Sequence, residues 1–132
     1  MNTTTNDDAK QYFEQIYQRP VILEAKKLTQ VFQHGKTQRT VLNQLDLKIH
    51  KREFICVIGP SGCGKSTFSR VVAGLDPYHS GELLVDGQPI TGPSPERGMV
   101  FQGYTLFPWK TVKENVMFGP LMKGASHASA EA

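Results

Sequence analysis

The chain has 132 residues, enough for one domain with a buried core and too few for two of ordinary size. Apolar residues make up 39% and charged residues 20%, the balance of a globular protein, and no apolar run reaches the roughly 18 residues of a membrane-spanning helix. A net charge of +3 is too small to point to nucleic acid.

In chain order, residues 1–20 read as a polar lead-in. The opening "MNTTTNDDAK" lacks the basic-then-apolar build of a secretory signal, and a short helix is predicted around "AKQYFEQIYQ", ended by Pro20. "VILEAKKL" (21–28) and "TVLNQLDLKI" (40–49) are strand-like. In the second, Val41, Leu45, Leu47 and Ile49 come close to alternation, and "HGKTQR" between the two reads as a turn. "EFICVIG" (53–59) is a continuous apolar run rich in β-branched residues, as expected of a strand buried on both faces of a parallel sheet. It leads straight into a glycine-rich loop.

From Lys65 the stretch "KSTFSRVVAGL" turns helical, with Phe68, Val71, Val72 and Leu75 on one side, Gly74 near the end and Pro77 just beyond. "GELLVDG" (81–87) is a strand entering an Asp-Gly hairpin turn. "RGMVFQ" (97–102) is another predicted strand. "TVKENVMFG" (111–119) is a helix opened by Thr111, with Glu114 at capping-box spacing. The tail "KGASHASAEA" is small and polar and is assigned no structure. There is no repeat and no linker, and the whole is mixed α/β.

The loop "GPSGCGKST" places Gly59, Pro60, Ser61, Gly62, Cys63, Gly64, Lys65, Ser66 and Thr67 in the G-x-x-x-x-G-K-[ST] pattern of a phosphate cradle. Glycines let successive backbone N–H groups converge on phosphate oxygens, and the following helix N-terminus adds partial positive charge. In this pattern Lys65 reaches the β- and γ-phosphates, Ser66 completes the shell of a Mg²⁺ ion, and Thr67 is a further donor. Residues 21–70 carry nine Lys and Arg against Glu24, Asp46 and Glu53, an excess that draws in an anion. Cys56 and Cys63 form neither a disulfide framework nor a metal spacing and read as free thiols of a reducing cytoplasm. The four histidines are scattered and make no ligand cluster.

"FICVIGPSGCGKSTFSRVVAGLDPYHSGELLVDGQPI", followed by "RGMVFQGYTLFPWKTVKENVMFG", resembles the ATP-binding subunit of ATP-binding cassette (ABC) transporters. Through "LFPWKTVKENVMFG" it is most similar to importers of nitrate, sulfonate or taurine-type anions. The resemblance runs from about Val21 to Gly124 and implies an α/β P-loop NTPase fold, the ABC ATPase nucleotide-binding domain. Its expected division is a lead-in at 1–20, a partial nucleotide-binding domain at 21–124 and a polar tail at 125–132.

The resemblance also implies roles. Phe32 falls where the family stacks an aromatic on adenine. Gln102 matches the glutamine that meets Mg²⁺ and the attacking water, so Lys65 and Gln102 are the candidate catalytic residues, with Ser66 and Gln102 on the metal. Tyr104 to Trp109 form the surface that receives a helix of a transmembrane permease. The implied ligands are ATP and Mg²⁺. A second ATP-binding subunit is the other partner, nucleic acid is not one, and the location is the cytoplasmic face of the plasma membrane, attached peripherally.

Three family features do not occur in these 132 residues: an LSGGQ-type signature loop, an apolar run ending in Asp-Glu, and a later histidine that contacts the γ-phosphate. "LLVDG" (83–87) has Gly87 where the glutamate belongs and reads as a hairpin instead, and His127 lies in the polar tail. The chain therefore looks like a cassette cut before its helical signature subdomain. The alternative to an importer subunit is a nucleotide-binding module that hydrolyses nothing. A P-loop GTPase or small-molecule kinase fits poorly, since N-K-x-D and D-x-x-G are missing.

Overall fold

The computed structural model describes residues 4–103 and 105–131. They form two compact units, Met1–Ser94 and Pro95–Ala132.

The first unit is built on an antiparallel sheet of four strands in the order β2-β1-β3-β4. Strands β1 (Val21–His34) and β2 (Thr37–His50) are joined by a turn at Gly35 and Lys36. Both extend further than their apolar patterns indicate. β1 continues past Lys27, where a positive φ of 47° bulges the strand, and Gln44 of β2 has a φ of 48°. Side chains fix these irregularities: Lys27 N donates to Asp46 Oδ1 at 2.8 Å, and Gln44 N donates to Thr29 Oγ1 at 3.1 Å. β3 (Ser80–Val85) pairs with the other edge of β1 and turns through Asp86 and Gly87, φ 48° and 75°, into β4 (Gln88–Pro89). The Asp-Gly hairpin expected from the sequence is present, as two positive φ values in a two-residue turn require.

The sheet packs against α2 (Lys65–Val72). Leu23, Ala25, Leu28, Leu42, Val71 and Leu83 form the core, with Phe68 and Val72 packed against it. At about 1.5–3 kcal/mol for each large apolar side chain buried, this cluster holds the helix on the sheet. Leu75 lies beyond the helix, which stops before Gly74 (φ 76°). Arg70 Nε and Nη2 donate to the two oxygens of Asp76 at 2.7 Å each, tying the helix end to the next loop and holding the Asp76 carboxyl below its ordinary range. Helix α1 (Thr4–Tyr17) covers the predicted N-terminal helix, buries Ile16 and sets Tyr17 edge-on to His50.

Two expectations fail here. Residues 53–59 are not a buried strand of a parallel sheet: they pair with no strand, and Phe54 and Ile58 are each 88% exposed. An apolar run becomes a strand only when a neighbour supplies hydrogen bonds on its edge, and among the described residues no strand flanks this one. The same holds in the second unit for residues 97–102, which take no strand conformation and leave Val100 98% exposed.

In that unit α3 (Val112–Met122) begins with the expected capping box. Thr111 Oγ1 accepts from Glu114 N at 3.2 Å, and Glu114 Oε2 accepts from Thr111 N at 2.7 Å. The helix runs past Gly119 and includes Pro120. The tail, assigned no structure from its composition, contains a one-turn helix, α4 (His127–Glu131).

Candidate functional site

The glycine loop spans the connection from residues 53–59 into α2. Its conformation depends on glycine at two positions. Gly62 has a φ of 77° and Gly64 a φ of 105°, both in the left-handed region. Gly64 is also the N-cap of α2, and a Cβ there would stand 3.0 Å from Val41 Cγ1 and 3.0 Å from the Val41 carbonyl oxygen. The loop is thus pressed onto β2, which aims the helix.

No side chain caps the N-terminus of α2, and no acidic residue occupies its first turn. Its leading N–H groups therefore present uncompensated partial positive charge, which suits a phosphate. Lys65 Nζ donates to the carbonyls of Gly59 and Pro60 at 2.7 Å each and lies 3.7 Å from Cys63 Sγ. The ammonium is thus held over the loop's own backbone, at the start of the cradle. Ser66, in the first turn, and Cys63 are exposed, and Thr67 is half-buried. Cys56 and Cys63 are free thiols.

Phe32, near the end of β1, is 42% exposed. Its cross-strand partner is Arg39, and opposite residues of an antiparallel pair share a face. Arg39 Nη2 donates to the Gly62 carbonyl at 3.4 Å. The β1–β2 hairpin therefore carries an aromatic and a guanidinium side by side, the latter touching the loop. Sequence reasoning counted Arg39 only within the local basic excess, because its position depends on strand register.

Gln102 belongs to the second unit, where it is exposed in a bend rather than at the end of a strand. Tyr104 lies outside the described residues. In the rest of the predicted docking stretch, Leu106 and Trp109 are 69% and 76% exposed, while Phe107 is half-buried, with ring centroids 5.4 Å from Trp109 and 4.7 Å from Phe118. Asn115 of α3 organises this loop. Its Oδ1 accepts from Phe107 N at 2.8 Å, and its Nδ2 donates to the carbonyls of Phe107, Lys110 and Thr111 at 2.9–3.2 Å. Nothing in the sequence pattern marked Asn115.

Among the described residues no group of three or more His, Cys, Asp or Glu is placed to hold a metal. A Mg²⁺ ion at the loop would be held mainly by phosphate oxygens, with the exposed Ser66 hydroxyl in the first turn of α2 as the candidate protein ligand.

Comparisons with known proteins bear on the family and the fold. The ABC transporter family model matches residues 42–132. An uncharacterized ABC transporter ATP-binding protein of Methanocaldococcus jannaschii is 45% identical over 104 residues, covering 79% of this chain and 39% of that protein. The nitrate import ATP-binding protein NrtD of Synechocystis sp. is 48% identical over 104 residues, with the same two coverages of 79% and 39%. The chain thus spans 39% of the length of these curated relatives. A dimeric, post-hydrolysis ATP-binding cassette bound to ADP and Pi aligns with a TM-score of 0.75 at 28% identity, covering 83% of this chain and 53% of that one. The chain belongs to the ABC transporter family, and its mixed α/β fold is that of the family's nucleotide-binding P-loop domain.

Proposed function

We propose that the chain is the P-loop part of the ATP-binding subunit of an importer, which binds Mg-ATP to energise uptake of a small anion such as nitrate, a sulfonate or taurine. The observation that carries the reading is the uncapped N-terminus of α2 beneath the Gly59–Thr67 loop, with the Lys65 ammonium 2.7 Å from two loop carbonyls. In this reading the nine residues of the loop wrap the phosphates. Lys65 moves from the carbonyls to the β- and γ-phosphates, and Ser66 ligates Mg²⁺. Phe32 offers its face to the adenine.

The anion reading is supported by the likeness to the nitrate import protein and by the family-like run "LFPWKTVKENVMFG". The permease is taken up on the exposed Leu106 and Trp109, held in place through Asn115. Among the described residues no helix is long and apolar enough to cross a membrane, which fits peripheral attachment on the cytoplasmic face. A second ATP-binding subunit completes the assembly, as the dimeric cassette suggests by likeness. Nucleic acid has no part in it.

The test is genetic. Disrupting the gene in its source organism should abolish growth on one of nitrate, a sulfonate or taurine as sole nitrogen or sulfur source, and a Lys65→Ala allele should fail to restore it. Unchanged growth on all three removes the anion-import reading.

A further inference from the structure

We infer that Arg39 is a nucleotide-contacting residue that grips the α-phosphate, an inference that rests on the ATP-binding reading above. Arg39 sits directly across from Phe32 on the same face of the β1–β2 hairpin, and its guanidinium reaches the backbone of the glycine loop at Gly62. It therefore lies between the aromatic proposed for the base and the loop proposed for the phosphate chain. The part of a nucleotide that bridges those two places is the ribose and the α-phosphate, and the α-phosphate is the anion of the pair.

The chemistry of the side chain matches. At 3.4 Å the bond to the Gly62 carbonyl is long, and it uses one of five guanidinium donors. Among the described residues no carboxylate pairs with Arg39, in contrast to Arg70, whose Nε and Nη2 are both taken by Asp76. A planar fork with unused donors beside a phosphate loop is suited to paired hydrogen bonds with phosphate oxygens. Lys65 lies at the other end of the loop, on the Gly59 and Pro60 carbonyls, so the two cations divide the phosphate chain between them.

The experiment is competition by AMP and by adenosine against a fluorescent ATP analogue, on the wild-type chain and on Arg39→Gln, Arg39→Lys and Lys65→Ala. AMP differs from adenosine by the α-phosphate alone, so the ratio of their affinities reads the contact. The wild type and Lys65→Ala should prefer AMP about tenfold, Arg39→Gln should lose that preference, and Arg39→Lys should keep part of it. A thermal melt without nucleotide should be the same for Arg39→Gln and the wild type. An AMP preference that survives in Arg39→Gln overturns the inference while leaving the ATP site standing. A lowered melt with the preference intact makes Arg39 a loop brace, which also overturns it. Failure of the wild type to bind the ATP analogue overturns the underlying reading together with this one.

Discussion

A Cβ on Gly64 would meet the backbone of Val41 at 3.0 Å, so the glycine loop and strand β2 are fitted so closely that a side chain there requires one of them to shift. The φ of 105° at Gly64 adds a conformational cost for any other residue. Gly64→Ala should destabilise the first unit by on the order of 1–3 kcal/mol and misdirect the first turn of α2. A thermal melt paired with nucleotide titration checks this: both should worsen. An unchanged melt would show that β2 yields at Val41.

The capping box of α3 carries a pH dependence. Glu114 has its carboxyl held below its ordinary value of 4.5, chiefly by the hydrogen bond from the Thr111 backbone N–H and then by the Thr111 hydroxyl. A lowered folded-state value means that the stabilisation is fully present above the ordinary carboxylate range and is lost as pH falls through the depressed value. Helicity of α3 should therefore hold steady down to about 4.5 and fall below it. In Glu114→Gln that acid-dependent component should disappear, and Thr111→Ala should cost the helix about 1 kcal/mol at neutral pH. Circular dichroism against pH, compared among the three chains, reads the difference.

What the sequence made legible was the locally determined part. The Asp86-Gly87 turn and the Thr111–Glu114 cap each need only a few neighbouring residues, and both are present as expected. The left-handed glycines of the loop, Gly62 and Gly64, belong to the same local class, because the short pattern itself requires them. Residues 53–59 and 97–102 were misread because apolar β-branched runs become strands only beside a partner. Arg39 escaped notice because its contact with Gly62 follows from strand register. The lengths of β1 and β2 were underestimated because the bulges at Lys27 and Gln44 interrupt alternation while pairing continues.

The exposed run from Phe54 to Ile58 should make the isolated 132-residue chain prone to self-association. Phe54 and Ile58 are 88% exposed, Val57 is 49% and Ile55 is 38%, so both sides of the run face solvent with unpaired backbone. Ile58→Lys should reduce light scattering and binding of a hydrophobic dye while leaving the melt of the sheet unchanged. Equal scattering in the two chains would move the source of association elsewhere.

These 132 residues alone should not turn over ATP at a transporter-like rate. Hydrolysis needs a group that positions water and charge around the γ-phosphate, and neither a signature loop nor an apolar-Asp-Glu run occurs in the sequence. A phosphate-release assay should stay below about 1 s⁻¹. Sustained turnover above that rate, lost in Lys65→Ala, would mean that the loop residues suffice.

The central claim is that Gly59–Thr67 binds the phosphates of ATP, and the direct measurement is titration of the chain with a fluorescent ATP analogue in the presence of Mg²⁺. Wild type should bind saturably, with ATP competing better than GTP. Lys65→Ala should bind roughly 10–100-fold more weakly, the loss of charge-assisted hydrogen bonds worth about 1.5–3 kcal/mol. Equal affinity in the wild type and Lys65→Ala would contradict the assignment of the site.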